Sequence, residues 1–330
     1  MGSVGIVSVN LFLTVIFRSY FVIFVVQKLK IRPVFRNIKL EFLKEVFSYS
    51  SLILLQMIAT QLNATVDQIL IGSLATEASI ILAVYGVGVQ IVQYYQSIGS
   101  AFNGVLMPGV VKLVEKEGTA ESYEKEMIRV SRIIFLVTAL IWGVFLVNGQ
   151  EFIILWAGEV NSEAYYVSLI LMSAYMFVLT EAIGSQILWA MNKHKEQAIL
   201  KFVIVIANVF LTVLLIKWRP LLGATIGTFI SIILGDVLAM NVIFKKKMGI
   251  RLTVFYRGLL KGIITSLLIM ICFGFLLRIF MSTSWLMFII KSLAMIMVYV
   301  FCLFAFGLNK YERGLFISLF KSFSRKIKPH

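Results

Sequence analysis

The chain has 330 residues, of which 60% are apolar and only 14% charged, and it carries a formal charge of +15. Its mean hydropathy is +0.95. A soluble globular domain holds about 25% charged residues, so this much apolar surface excludes a single water-facing core and predicts an all-α polytopic membrane protein. The two cysteines lie within apolar runs, and His194 and His330 stand in a connection and at the C-terminus. That distribution argues against a disulfide framework, a metal site or Cys–His catalysis.

A bilayer core of about 30 Å needs about 20 mostly apolar residues per helix. Nine stretches meet that demand, at residues 4–26, 47–71, 80–111, 130–148, 164–191, 197–216, 221–244, 258–280 and 285–307. The first is too long and too poor in N-terminal basic residues for a signal peptide. Arg18 sits at its centre, where a guanidinium most naturally faces an anion or a carboxylate. Residues 27–46 follow as a basic, amphipathic linker around Phe35, Ile38, Phe42 and Val46.

The second span contains QMIATQLNATVDQILIG, residues 56–72. At roughly 100° per residue, Gln56, Thr60, Asn63 and Asp67 share an arc of about 60°. The third span carries a longer stripe, Gly86, Gln90, Gln93, Ser97, Ser100 and Gly104, within an arc of about 80°. Gln96 and Asn103 flank it, and Ile91, Tyr95, Ile98 and Phe102 lie opposite. Two readings are open. Small residues and amides can stitch helices together at about 0.6 kcal/mol per hydrogen bond, or they can wall a hydrated cavity. So many amides on two neighbouring helices favour the cavity.

Pro108 is expected to end or kink the third span. Residues 112–129 are water-soluble, mixed in charge and helical after Thr119. Residues 149–163 are short and largely apolar, which leaves no room for an aqueous catalytic loop. No P-loop, G-x-S-x-G or H-E-x-x-H motif occurs, and the chain is not expected to be an enzyme.

Glu181 falls at the middle of the fifth span and Asp236 in the inner half of the seventh. A charge at mid-membrane costs about 2.5–3.5 kcal/mol on insertion scales, so each needs a partner, water or a proton. Asp67 lies nearer the outer interface, where snorkelling would also serve. Pro220 opens the seventh span, and Gly223 to Gly227 forms a small-xxx-small packing motif. Arg278 and Lys291 are expected to snorkel to the outer interface. The tail, residues 308–330, alternates apolar and basic residues as an interfacial helix does.

If residues 27–46 are cytoplasmic, the inside connections hold 26 of the 31 lysines and arginines. The basic charge then reads as a positive-inside topology signal with attraction to anionic headgroups, not as a nucleic-acid surface. The N-terminus lies outside and the C-terminus inside.

The run FSYSSLILLQMIATQLNATVDQILIGSLATEASIILAVYGVG, followed by AFNGVLMPGVVKLVEKEG, resembles the second lobe of bacterial polysaccharide flippases of the multidrug/oligosaccharidyl-lipid/polysaccharide exporter superfamily. The segments IILWAGEVNSEAYYVSLILM, ILWAMNKHKEQAILKFVIVIANVFL and PLLGATIGTFISIIL resemble the following helices in order. The resemblance covers most of the chain from about residue 15. It maps residues 1–26 onto the last helix of a first lobe, 47–244 onto a six-helix, MATE-like second lobe and 245–307 onto an added helix pair. Five first-lobe helices have no counterpart, as in a truncated form.

The implied function is flipping of a lipid-linked oligosaccharide, a repeat unit on undecaprenyl diphosphate, across the bacterial inner membrane for O-antigen, lipopolysaccharide or capsule synthesis. Arg18, Gln56, Thr60, Asn63, Gln90, Gln93, Ser97, Asn103 and Glu181 are then the cavity candidates. Asp67, Glu181 and Asp236 are the candidates for coupling to a proton or sodium gradient, with no bound cofactor or metal. Partners would be membrane lipids and a polysaccharide polymerase or glycosyltransferases. An ion-coupled drug exporter of the same superfamily and a non-transporting scaffold for glycan assembly are the alternatives.

Overall fold

A computed structural model describes residues 2–28, 40–116, 118–193, 195–280, 284–309 and 311–314. Regular structure among these residues is entirely helical. The chain forms two compact units, Met1–Ser51 and Leu52–His330.

The first unit holds α1, Gly2–Lys28, and the start of α2. The described side chains of α1 are almost all exposed, Arg18 included. Tyr20 sets its ring against Phe21 and Phe24, with centroids 6.2 and 6.5 Å away. An apolar helix without a polar face of this kind belongs in lipid. Most of the amphipathic linker, residues 29–39, lies outside the described residues, as do residues 315–330 of the tail.

The second unit runs from the body of α2 (Leu40–Leu74) through α3 (Ala78–Lys116), α4 (Ala120–Ala157), α5 (Ala164–Ala190) and α6 (Lys195–Ile216). Then α7 (Pro220–Ser231) continues through a π-helical segment, Ile232–Ala239, into α8 (Met240–Met248). The short α9 (Leu252–Leu260) precedes α10 (Ile263–Phe280) and α11 (Trp285–Cys302). Pro108 does not end its helix: α3 continues to Lys116. The polar stretch after it is mostly helical, because Thr119 caps α4 by accepting the Ser122 N–H at 3.3 Å.

Close packing depends on glycine where helices cross. A Cβ at Gly88 or Gly99 of α3 would fall 2.7 Å from Val167 or Leu179 of α5. One at Gly223 would lie 2.2 Å from the Leu215 carbonyl oxygen, and one at Gly227 2.7 Å from the Thr212 hydroxyl. The small-xxx-small motif therefore seals α7 against α6. Helix α4 is the central post, packed against α3, α5, α9, α10 and α11.

Seven described helical stretches are long and apolar enough to cross a membrane. The α9–α10 pair, bent by 43°, supplies an eighth. The bend turns on Gly262, whose φ is +76° and whose Cβ, if present, would meet the Phe306 carbonyl oxygen at 2.4 Å. Helix α2 corresponds to the expected second span. The protein is a multi-pass helical membrane protein.

Two ionic features revise the expected picture. Lys291 does not snorkel: it is 1% exposed and pairs with Glu151 of α4. Arg278, by contrast, is exposed and donates to Gln150 at 3.5 Å. Arg132 of α4, 5% exposed, forms a buried ion pair with Glu312. Its guanidinium also donates to the carbonyls of Gly258, Leu259, Lys261 and Gly307 at 2.5–3.3 Å. Those carbonyls are the acceptors that helix ends leave unpaired, so one side chain caps both α9 and the segment after α11.

Candidate functional site

The second unit encloses a cavity of about 400 Å³ between α2, α3, α5, α6 and the α7–π segment. Its polar lining comes from Thr60, Asn63 and Asp67 of α2, Gln93 and Gln96 of α3, Tyr175 of α5, Lys201 of α6, and Thr228 and Asp236 beyond. The wall between them is aliphatic, including Val89, Val92 and Leu171. Mixed lining at this volume is typical of small-molecule sites.

At one end Asp67 is 2% exposed. It does not snorkel, and it forms no ion pair among the described residues. Its Oδ2 accepts the Tyr85 hydroxyl at 2.6 Å and the Thr228 hydroxyl, and its Oδ1 accepts Thr212 at 3.2 Å. One turn earlier Asn63 accepts from Asn208 at 2.8 Å. Asn208 in turn faces the Thr212 and Thr228 hydroxyls at 3.1 Å. The half of the α2 stripe formed by Asn63 and Asp67 is thus helix-to-helix stitching to α3, α6 and α7, with one edge on the cavity.

The α3 stripe has the other fate. Gln93, Ser97 and Ser100 are exposed, and Gln90 and Gln96 half-buried. The serine hydroxyls return to carbonyls of their own helix, Ser97 to Gln93 at 2.8 Å and Ser100 to Ser97 at 3.1 Å. Gln93 and Gln96 reach the cavity, whereas Gln90 and Ser97 do not line it. The side chain of Asn103 lies outside the described residues. Ile91 and Tyr95, opposite the stripe, are buried in the helix packing, but Ile98 is exposed.

At the other end Lys201 pairs with Asp236. Both also line a second chamber of about 100 Å³, with Glu181 and Gln197. The ion pair therefore stands between two chambers. Glu181, 3% exposed, belongs to the smaller one. Its Oε1 accepts Asn241 at 3.0 Å and the Tyr256 hydroxyl, while its Oε2 has no partner. Asp236 projects from the π-helical segment, a backbone form that recurs at functional positions.

Several members of this site escape sequence reasoning. Lys201 reads as part of a basic connection, yet it lies a turn and a half inside α6. Thr212 and Thr228 look like ordinary span residues. Asn208 and Thr212 are one turn apart, a pairing that does flag one helix face in retrospect. Tyr175 carries no polar neighbour in sequence to mark it.

No group of three or more His, Cys, Asp or Glu placed to hold a metal occurs among the described residues. The arrangement offers hydrogen-bond donors, acceptors and one balanced ion pair to a ligand. The fold defines a polytopic helical membrane protein with a polar interior chamber. Residues 4–160 match the model of a protein family described as polysaccharide biosynthesis protein. That match takes in α1 to α4, and so includes both polar stripes. No curated protein and no solved structure matches the chain.

Proposed function

We propose that the chain moves a lipid-linked oligosaccharide, a repeat unit on undecaprenyl diphosphate, across the bacterial cytoplasmic membrane during surface polysaccharide synthesis. The observation that carries this reading is the polar cavity of about 400 Å³ among membrane helices, in a chain whose first half matches a polysaccharide biosynthesis family. Amides and hydroxyls on the cavity wall suit sugar hydroxyls, and a protein of this kind acts by carrying its substrate, not by covalent chemistry.

Arg18 would serve as a counter-charge for the diphosphate. Asp67 and Glu181 are the groups through which a proton or sodium gradient would drive the step, since Asp236 is already matched by Lys201. Membrane lipids, a polymerase and glycosyltransferases are the expected neighbours, and O-antigen or capsule the expected product.

A second reading, an ion-coupled multidrug exporter, draws on the excess of carboxylates over ammonium in the two chambers. Asp67, Asp236 and Glu181 face one lysine there. Deleting the chain and assaying both surface polysaccharide and the lipid-linked intermediate separates the two. Loss of polymer with accumulation of intermediate supports flipping. Normal polymer with sensitivity to cationic dyes supports export instead.

A further inference from the structure

A third pocket, of about 420 Å³, lies against the middle of α2 and the end of α5 and shares Thr60 with the larger chamber. It is lined by Ile53, Gln56, Met57, Thr60, Gln61 and Trp189. Its lining combines an indole ring, two amides and two apolar side chains, with no ionisable group among the described residues. The Thr60 hydroxyl is engaged with the Gln56 carbonyl at 2.9 Å, so the free hydrogen-bonding capacity belongs to the two glutamines. Gln56 Oε1 is shut from water and has no partner.

Each class of occupant can be tested against that lining. A lipid tail filling the pocket would leave the amides of Gln56 and Gln61 unsatisfied. A phosphate or a cation finds no counter-charge among these described residues. A neutral ring with polar edges and an apolar face satisfies all of it. Its C–H face packs on the indole, its hydroxyls reach the amides, and Met57 and Ile53 close the sides. Pyranose sugars have that amphipathic form, and the volume is in the range of ligand pockets, about 300–1,000 Å³.

We infer that this pocket is a sugar-recognition subsite, with Trp189 as the stacking platform and Gln56 and Gln61 as the hydrogen-bonding pair. The inference rests on the function proposed above and assigns its uncharged sugar moiety to a place beside the larger chamber, adjoining it at Thr60. Trp189 is half-buried at the last turn of α5. It is large, rigid and amphipathic, the kind of group that dominates recognition energies.

The test uses the full chain, affinity-tagged and expressed in cells that depend on it. Lipid-linked oligosaccharide co-purifying with the protein is quantified by mass spectrometry, beside surface polymer and protein level. Trp189→Ala and Gln56→Leu should each lower co-purified oligosaccharide by at least about tenfold, at unchanged protein level. Trp189→Phe, which keeps a ring, should stay within about threefold of the parent. The subsite is overturned if Trp189→Phe is as defective as Trp189→Ala, if both glutamine and tryptophan variants retain the oligosaccharide, or if the parent carries phospholipid alone. The two readings fail separately. Normal polymer without the chain refutes the transport function, whereas dependence on the chain with indifference to residues 56 and 189 refutes only the sugar subsite.

Discussion

Lys201 of α6 and Asp236 of the π-helical segment form an ion pair that borders both chambers of the second unit. Their side chains are 24% and 8% exposed, so the pair is far less screened than a surface bridge. Removing one partner from a buried pair strands the other charge, at about 3–5 kcal/mol, whereas replacing both by apolar residues is often neutral. Lys201→Met should therefore lower the thermal midpoint in detergent more than the double variant Lys201→Met/Asp236→Leu does. Equal loss in both would show that the ion pair does not hold α6 to the π-helical segment.

Asp67 supplies the second prediction. Thr228 and Tyr85 share its Oδ2, Thr212 reaches its Oδ1 at the longer distance of 3.2 Å, and both threonines also face Asn208 at 3.1 Å. Hydrogen bonds to charged groups contribute about 1.5–3 kcal/mol each. Thr228→Val, which removes the closer contact, should cost more stability than Thr212→Val, and Asp67→Leu more than either because Tyr85 loses its acceptor and both threonines keep only Asn208. Thermal unfolding of the three variants gives the order.

The Glu151–Lys291 pair yields a labelling test. A lysine that snorkels is accessible from water, but Lys291 is buried among α4 and α11. With the free cysteines Cys272 and Cys302 removed, Lys291→Cys should resist a membrane-impermeant maleimide while Arg278→Cys reacts. Reaction at both positions would return Lys291 to the interface.

Arg132 is the fourth. Arginine presents a planar fork of donors that lysine cannot reproduce, and here the fork serves four carbonyls and Glu312. Arg132→Lys should be nearly as destabilising as Arg132→Ala. Limited proteolysis should then open the connection after α9 and the segment around Asn309 before it opens the rest. A lysine variant as protease-resistant as the parent contradicts the capping role.

Much of the helical plan is legible from hydropathy because lipid demands runs of about 20 apolar residues, and α5, α6 and α11 start and stop near the expected positions. The α3 stripe was legible too, since an exposed polar face leaves a periodic trace. What the periodicity could not give is the partner. Asp67 and Gln93 look alike as polar positions in apolar helices, yet one is ringed by hydroxyls from three other helices and the other is open. Lys201 and Lys291 were hidden for a related reason: one reads as part of a basic connection and the other as a snorkelling residue, and both are held by carboxylates more than 30 residues away. The Trp189 pocket needed the end of α5 to meet the middle of α2, a juxtaposition that only the fold supplies.

The central claim is that Gln93 and Gln96 wall a water-filled chamber inside the membrane helices. Labelling single cysteines at 93 and 96 with an impermeant maleimide tests it directly, using Leu268→Cys on the exposed apolar face of α10 as the lipid-side reference. The account predicts rapid reaction at 93 and 96 and none at 268. Positions 93 and 96 as inert as 268 would contradict it.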